Sequence, residues 1–187
     1  MSNQIIYWLW EKEISPEVCT RLISENRRNL QVAKTVGPGG QDMVVDRRRS
    51  RVNFDVTTEV MEMCLHYLWS ANRDAFGFDL WPNEENRNFK AQFLEYNAEE
   101  KGHFDWHSDS YHHGTARSNR KLTLICQLTD PNEYEGGELD IGMGGKPLRL
   151  SQGSIVVFPS YMIHRVSPVT KGRRNSFVSW VDGPEWK

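Results

Sequence analysis

From about residue 86 onward the chain breaks into short apolar and β-branched runs, and this pattern leaves few folds open. Residues 89–96, 122–128, 139–141, 147–150, 154–158, 164–167 and 175–181 each read as a strand. Turn formers separate them, among them Glu135-Gly136-Gly137, the stretch 142–145 and Gln152-Gly153. Many short strands at this spacing specify a sandwich or a double-sheet barrel. The first part of the chain has a different period. Ser15-Pro16-Glu17 combines an N-cap with a proline at the first helical position, and Val18, Leu22 and Ile23 recur at helical spacing, which predicts a helix over about 16–30. Thr57 or Thr58 caps a second, over about 58–75, whose stripe of Val60, Met61, Cys64, Leu65, Leu68 and Trp69 reads as packing surface, with His66 as a surface residue beside it. Residues 4–10 read as a short strand or extended lead-in, and 37–40 as a loop. Helices first and strands afterwards make the class α+β, with the N-terminal helices laid on one sheet.

At 187 residues the chain reads as one domain, 1–187, with a supporting region to about 85 and a core over about 86–183. A domain of this size buries roughly 70% of its unfolded surface without disulfides or a structural metal. The formal net charge of -2 gives no global pull toward nucleic acid or an anionic membrane. Cys19, Cys64 and Cys126 are scattered and odd in number, which argues against a disulfide framework or a cysteine zinc site and for a reducing cytosol. The apolar run at 5–10 is too short for a signal segment and has no basic lead, and no stretch approaches a membrane span, so a soluble cytoplasmic protein is expected. Seven tryptophans suggest a wide core or an aromatic-lined pocket. The basic run Asp46-Arg47-Arg48-Arg49-Ser50-Arg51 serves either as a solvated strand edge or as a grip on an acidic substrate or phosphate.

Two neighbouring triplets, His103-Phe104-Asp105 and His107-Ser108-Asp109, carry the first hint of chemistry. On an extended strand i and i+2 project to one side about 7 Å apart, so either pair can close on one ion. Either can equally be a surface hydrogen-bonded pair. Completed by a distant histidine, such a pair is the facial triad that holds non-haem Fe(II). His164 fits as the third member, and Arg174, ten positions on, offers a guanidinium suited to binding a carboxylate with two parallel hydrogen bonds.

In order, Tyr96, Gly102-x-Phe104-x-x-His107-x-Asp109, Gly136-Gly137-Glu138-Leu139, Gly153-Ser154, Phe158-Pro159-Ser160, His164-x-Val166-x-Pro168-Val169, Gly172, Arg174 and Trp180 resemble the Fe(II)- and 2-oxoglutarate-dependent dioxygenases. Within them the chain is similar to the prolyl 4-hydroxylase-type branch, including the bacterial PKHD-type hydroxylases. The resemblance implies a double-stranded β-helix, or jelly roll, of cupin-like form. It also selects the triplet: the branch places a glycine five and an aromatic three residues before its first ligand histidine, and Gly102 and Phe104 stand so to His107. His107, Asp109 and His164 are then the implied metal ligands, and His103 and Asp105 polar groups near the site or beyond a bend facing solvent.

For 2-oxoglutarate the resemblance implies Arg174 on the distal carboxylate, with Tyr96 and Gln127 at co-substrate positions. Alternation along the strand puts Ser176 and Trp180 on the face of Arg174, so Ser176 adds a hydrogen bond. The implied cofactors are Fe(II), 2-oxoglutarate and O2, with ascorbate as an accessory, and the implied reaction is hydroxylation of an unactivated C–H bond, since a carboxylate stands where the related halogenases lack one. Arg48-Arg49-Ser50 resembles an Arg-x-Ser element near the substrate groove of prolyl hydroxylases. Segment 110–120, with His112 and His113, reads as a lid or as an ordinary exposed loop. The leading expectation is a prolyl 4-hydroxylase-like enzyme acting on a protein or peptide. A hydroxylase of a free amino acid or other small molecule is the second, and a non-catalytic jelly-roll binding module the third.

Overall fold

The structure is a computed structural model describing residues 6–36, 42–43, 46–82, 90–110 and 119–186. The expected loop at 37–40, residue 89 of the first expected core strand, and 111–118 of the expected lid, with His112 and His113, lie outside the described residues.

Strand β1 (Trp8–Trp10) leads into helix α1 (Pro16–Asn26), followed by the short strands β2 (Gln31–Val32), β3 (Thr35–Val36), β4 (Asp42–Met43), β5 (Arg48–Arg49) and β6 (Arg51–Asn53), then helix α2 (Thr58–Ala71). The remainder is β7 (Ala91–Asn97), β8 (His103–His107), β9 (Asn119–Gln127), β10 (Tyr134–Gly136), β11 (Leu139–Ile141), β12 (Ile155–Pro159), β13 (His164–Val166) and β14 (Val169–Gly183). Both helices begin where expected. Ser15 accepts a hydrogen bond from the Val18 amide and Thr57 one from the Val60 amide. Both stop earlier than their apolar period suggests. Asn26 folds its amide back onto the Leu22 carbonyl and the chain tightens into a 3-10 turn over Arg27–Asn29; α2 widens into a π turn over Asn72–Phe76 that ends on Gly77 at φ +64°.

The large sheet runs β1-β12-β9-β14-β7-β6-β2, with β10 on the early part of β14, and the small sheet runs β11-β13-β8-β5. All of these pairings are antiparallel. Alternation divides the large sheet into two faces. Phe93, Leu122, Leu124, Cys126, Phe177 and Val181 project backward onto Cys19, Leu22, Val60, Cys64 and Leu68 of the helices. Leu94, Tyr96, Ile125, Phe158 and Val178 project forward and pack with Phe104, Val166, Leu139 and Ile141 of the small sheet. The two sheets therefore face one another as a jelly roll, with the helices outside. The stretch 147–150 contributes one isolated bridge, Leu148 to Leu139, in place of an expected strand, while β10 and β8 were not among the expected runs.

Strand β8 holds the irregularity that matters most. His107 opposes His164 but Phe104 opposes Val166, so three steps on β8 match two on β13. One residue is inserted, a β-bulge at Asp105-Trp106. Phe104 and His107 are therefore both buried, whereas Asp105 is exposed. Gly102 sets the entry to this strand: a Cβ there would lie 2.7 Å from the Asn97 amide nitrogen and 2.8 Å from the Tyr96 Cα, so only glycine permits the backbone crossing between β7 and β8.

Candidate metal and co-substrate site

His107 at the end of β8 and His164 at the start of β13 are cross-strand partners, which sets their rings 4.1 Å apart between centroids. Each directs Nδ1 at the carbonyl oxygen two residues earlier: His107 at Asp105, 2.7 Å, and His164 at Met162, 3.0 Å. A carbonyl only accepts, so Nδ1 carries a proton in both rings and Nε2 is the nitrogen turned toward the centre. Phe104 stacks on the His107 ring at 3.5 Å and Phe158 meets His164 edge-on, so both rings are held in place.

Asp109 is not on a strand. Sequence alternation placed it on one face with His107, but β8 ends at His107 and the chain bends. The bend is fixed by the Ser160 carbonyl, which accepts from the amides of Asp109 and Ser110 and from the Ser108 hydroxyl, all at 3.0 Å. The carboxylate lands 3.8 Å (Oδ1) from His107 Nε2 and 3.4 Å (Oδ2) from His164 Nε2. Oδ2 accepts from Thr123 Oγ1 at 3.0 Å and from the Trp180 indole at 2.8 Å. Burial alone would raise the Asp109 carboxyl, but His164, His107 and Arg120 together with the indole hold it below the usual carboxylate range. Burial, and then the neighbouring His164, push His107 down to about 4, so it is a neutral imidazole at physiological pH. One ligand atom from each of the three residues falls within 4.8 Å of the others. Two imidazoles and one carboxylate fit a divalent first-row metal such as Fe(II).

The other triplet is excluded by geometry. Both ring nitrogens of His103 are taken by backbone oxygens, Lys101 at 2.8 Å and Asp46 at 2.9 Å, and Asp105 lies in solvent beyond the bulge. The bend expected to turn this pair outward is the bulge itself.

The triad opens on a cavity of about 390 Å³ between the sheets. Arg174, Ser176, Val178 and Trp180 line it from one face of β14, as alternation requires. Arg174 is 2% exposed and donates to Ser176 Oγ at 3.4 Å; among the described residues no carboxylate pairs with it. A buried guanidinium without a counter-charge is costly, which makes an anionic ligand the natural occupant of this end of the cavity. Tyr96 lies under it, ring centroid 5.8 Å from the guanidinium carbon, and burial raises its phenol so that it stays a neutral donor. Gln127 does not line the cavity: its Nε2 is drawn away by the Thr129 carbonyl at 2.8 Å and by Tyr134, and its Oε1 has no partner among the described residues. Thr123 was not singled out from sequence, although its alternation with Ile125 on the inner face of β9 made it accessible. Ser160 stood in the motif Phe158-Pro159-Ser160 without a role, because the part it plays at the bend is played by its carbonyl.

Fold and site together define a jelly-roll protein with a two-histidine, one-carboxylate centre in a cavity that also holds a buried arginine. The family profile of the 2OG-Fe(II) oxygenase superfamily matches residues 91–182, which span the triad and Arg174. A PKHD-type hydroxylase of Synechococcus sp. (strain CC9311) is 34% identical over 140 residues, 73% of this chain and 60% of that protein, so the chain spans about three fifths of this relative's length. Two solved structures share the fold: viral collagen prolyl hydroxylase vCPH from Paramecium Bursaria Chlorella virus-1 (TM-score 0.71, 17% identity, covering 95% of this chain and 96% of that one), and a Trichoplax adhaerens prolyl hydroxylase in complex with a hypoxia inducible factor oxygen degradation domain peptide fragment (TM-score 0.69, 13% identity, 96% and 84%). The chain belongs to the 2OG-Fe(II) oxygenase superfamily and is similar to its PKHD-type hydroxylases.

Proposed function

We propose that this chain hydroxylates an unactivated C–H bond in a protein or peptide, as a prolyl 4-hydroxylase-like oxygenase. The observation that carries the reading is the pairing, in one cavity, of three converging metal-ligand atoms with a buried guanidinium that no carboxylate among the described residues pairs with. Bound there, iron(II) and 2-oxoglutarate would supply the oxidising chemistry, one atom of O2 going to the substrate as C–OH and the other to 2-oxoglutarate as it becomes succinate and CO2.

His107, Asp109 and His164 would hold the metal, their orientation fixed by the two Nδ1–H donors and by the Thr123 and Trp180 donors to Asp109. Arg174 would pair with the distal carboxylate of 2-oxoglutarate, Ser176 adding a hydroxyl and Tyr96 closing the floor. The walls Leu94, Phe104, Ile125 and Val166 exclude water from the reacting bond. A peptide is favoured by the mouth, where Val32 and Phe54 are 58% and 51% exposed, enough apolar rim for an extended chain. The names of similar proteins, a PKHD-type hydroxylase and prolyl hydroxylases, point the same way. The test is succinate release by the purified protein with Fe(II), ascorbate and 2-oxoglutarate. Slow release without substrate, stimulated by proline-containing peptides, is expected; no release and no iron binding would return the chain to a jelly-roll binding module.

A further inference from the structure

The four arginines between residues 47 and 51 have different fates. Arg47 is exposed, Arg49 pairs with Asp46 at 3.1 Å, and Arg51 pairs with Glu100. Arg48 alone enters the cavity. Its guanidinium carbon lies 4.7 Å from the Phe104 ring centroid, and that ring stacks in turn on His107, so a fixed cation stands one aromatic layer away from a metal ligand. Its hydrogen bonds go to neutral acceptors, Ser50 Oγ at 3.0 Å and the Lys34 carbonyl at 3.3 Å, and among the described residues no carboxylate pairs with it.

The charge of the cavity is lopsided. Lys34, Arg48, Arg120 and Arg174 line it, against Asp109 as the one carboxylate among the described lining residues. Asp182 lies near Arg120 and offsets part of its charge, so Arg48 carries the argument. Iron(II) and the 2-oxoglutarate dianion cancel one another, and the Asp109 carboxylate offsets Arg174. The loaded site therefore remains cationic at Arg48, at the mouth flanked by Val32 and Phe54. A neutral substrate would leave that half-buried guanidinium without a counter-charge; a carboxylate would pair with it. A nucleic-acid backbone fits less well, since the rim is partly apolar and the chain carries a net charge of -2.

We propose that the substrate is an acidic peptide, in which an aspartate or glutamate flanking the oxidised residue pairs with Arg48, with Lys34 at the rim. This rests on the oxygenase reading. It is tested by binding of fluorescently labelled peptide pools, randomised at the centre and flanked by Asp/Glu, by Asn/Gln or by Lys/Arg, to protein loaded with Mn(II) and 2-oxoglutarate, which cannot turn over. The acidic pool should bind about tenfold more tightly than the neutral one, the advantage shrinking as salt is added. Arg48→Gln should collapse the acidic-to-neutral ratio and Arg48→Glu should invert it toward the basic pool, a ratio being independent of how much protein is folded. Equal binding of all pools, preference for the basic pool, or binding only of free amino acids or an oligonucleotide would overturn the proposal. Iron-dependent succinate release by the wild-type protein, run in parallel, separates the two failures: its absence overturns the oxygenase reading, and its presence with no preference for acidic peptides overturns only this inference.

Discussion

The two faces of the large sheet share a backbone but obey different rules. Behind it, Phe93, Leu124, Cys126, Phe177 and Val181 meet the helices in a continuous apolar layer. In front, the same strands turn Tyr96, Arg174, Ser176 and Trp180 toward the cavity and Thr123 toward Asp109. The rear face gains from filling space, at roughly 1.5–3 kcal/mol for each large side chain buried. The front face holds groups whose burial costs free energy unless something arrives to complete them. Stability and function are thus separated by the pleat of single strands, so adjacent residues of β14 should respond to substitution in opposite ways.

The largest contrast should come from the ligands. Asp109→Ala or His107→Ala should abolish iron-dependent succinate release while leaving the far-ultraviolet circular dichroism of a folded protein, whereas His103→Ala should retain turnover; loss in all three would put the metal elsewhere. On the rear face, Phe177→Ala should cost about 3–5 kcal/mol in urea denaturation, with turnover per folded molecule unchanged. Arg174→Met should raise the 2-oxoglutarate concentration needed for half-maximal turnover by about two orders of magnitude, since it removes a charge-assisted contact worth ~2–5 kcal/mol. Without 2-oxoglutarate its melting temperature should hold or rise, because an uncompensated buried charge has gone. A fall would mean that Arg174 is structural.

The smallest effect lies in pH. With His107 at about 4 in the folded protein against an ordinary 6.5, the unfolded chain binds a proton in that interval that the folded one refuses. The metal-free protein should therefore lose stability as pH falls from about 6.5 toward 4, and His107→Asn should flatten part of that slope. The buried thiols of the rear face do not titrate in this range: burial pushes Cys64 up to about 12 and Cys126 well above its ordinary value.

Much of this division was readable before any coordinates, because alternation is a local property. The period of two assigned Arg174, Ser176 and Trp180 to one face, and the capping candidates, Ser15 and the pair Thr57-Thr58, located the helix starts. What the sequence hid depends on partners far along the chain. Asp109 reaches the centre because the Ser160 carbonyl, 51 residues on, turns its backbone. Gln127 turns away because the Thr129 carbonyl takes its amide. Arg48 stands apart from its three neighbours only because Asp46 and Glu100 engage two of them and β5 aims it inward. The bulge in β8 is of the same kind, since it is defined by what β13 opposes and not by any residue of β8 alone.

That bulge also decides how the gene can change length here. Phe104 and His107 face inward with two residues between them where a regular strand would have one. An in-frame loss of the Asp105 codon would leave a regular strand with both side chains still inside, and iron binding should survive it. Loss of the Ser108 codon would instead shorten the bend that carries Asp109 to the centre, and iron binding should not survive. Within this stretch, length variation among descendants of the gene should collect at the bulge and be absent from the three residues that follow it.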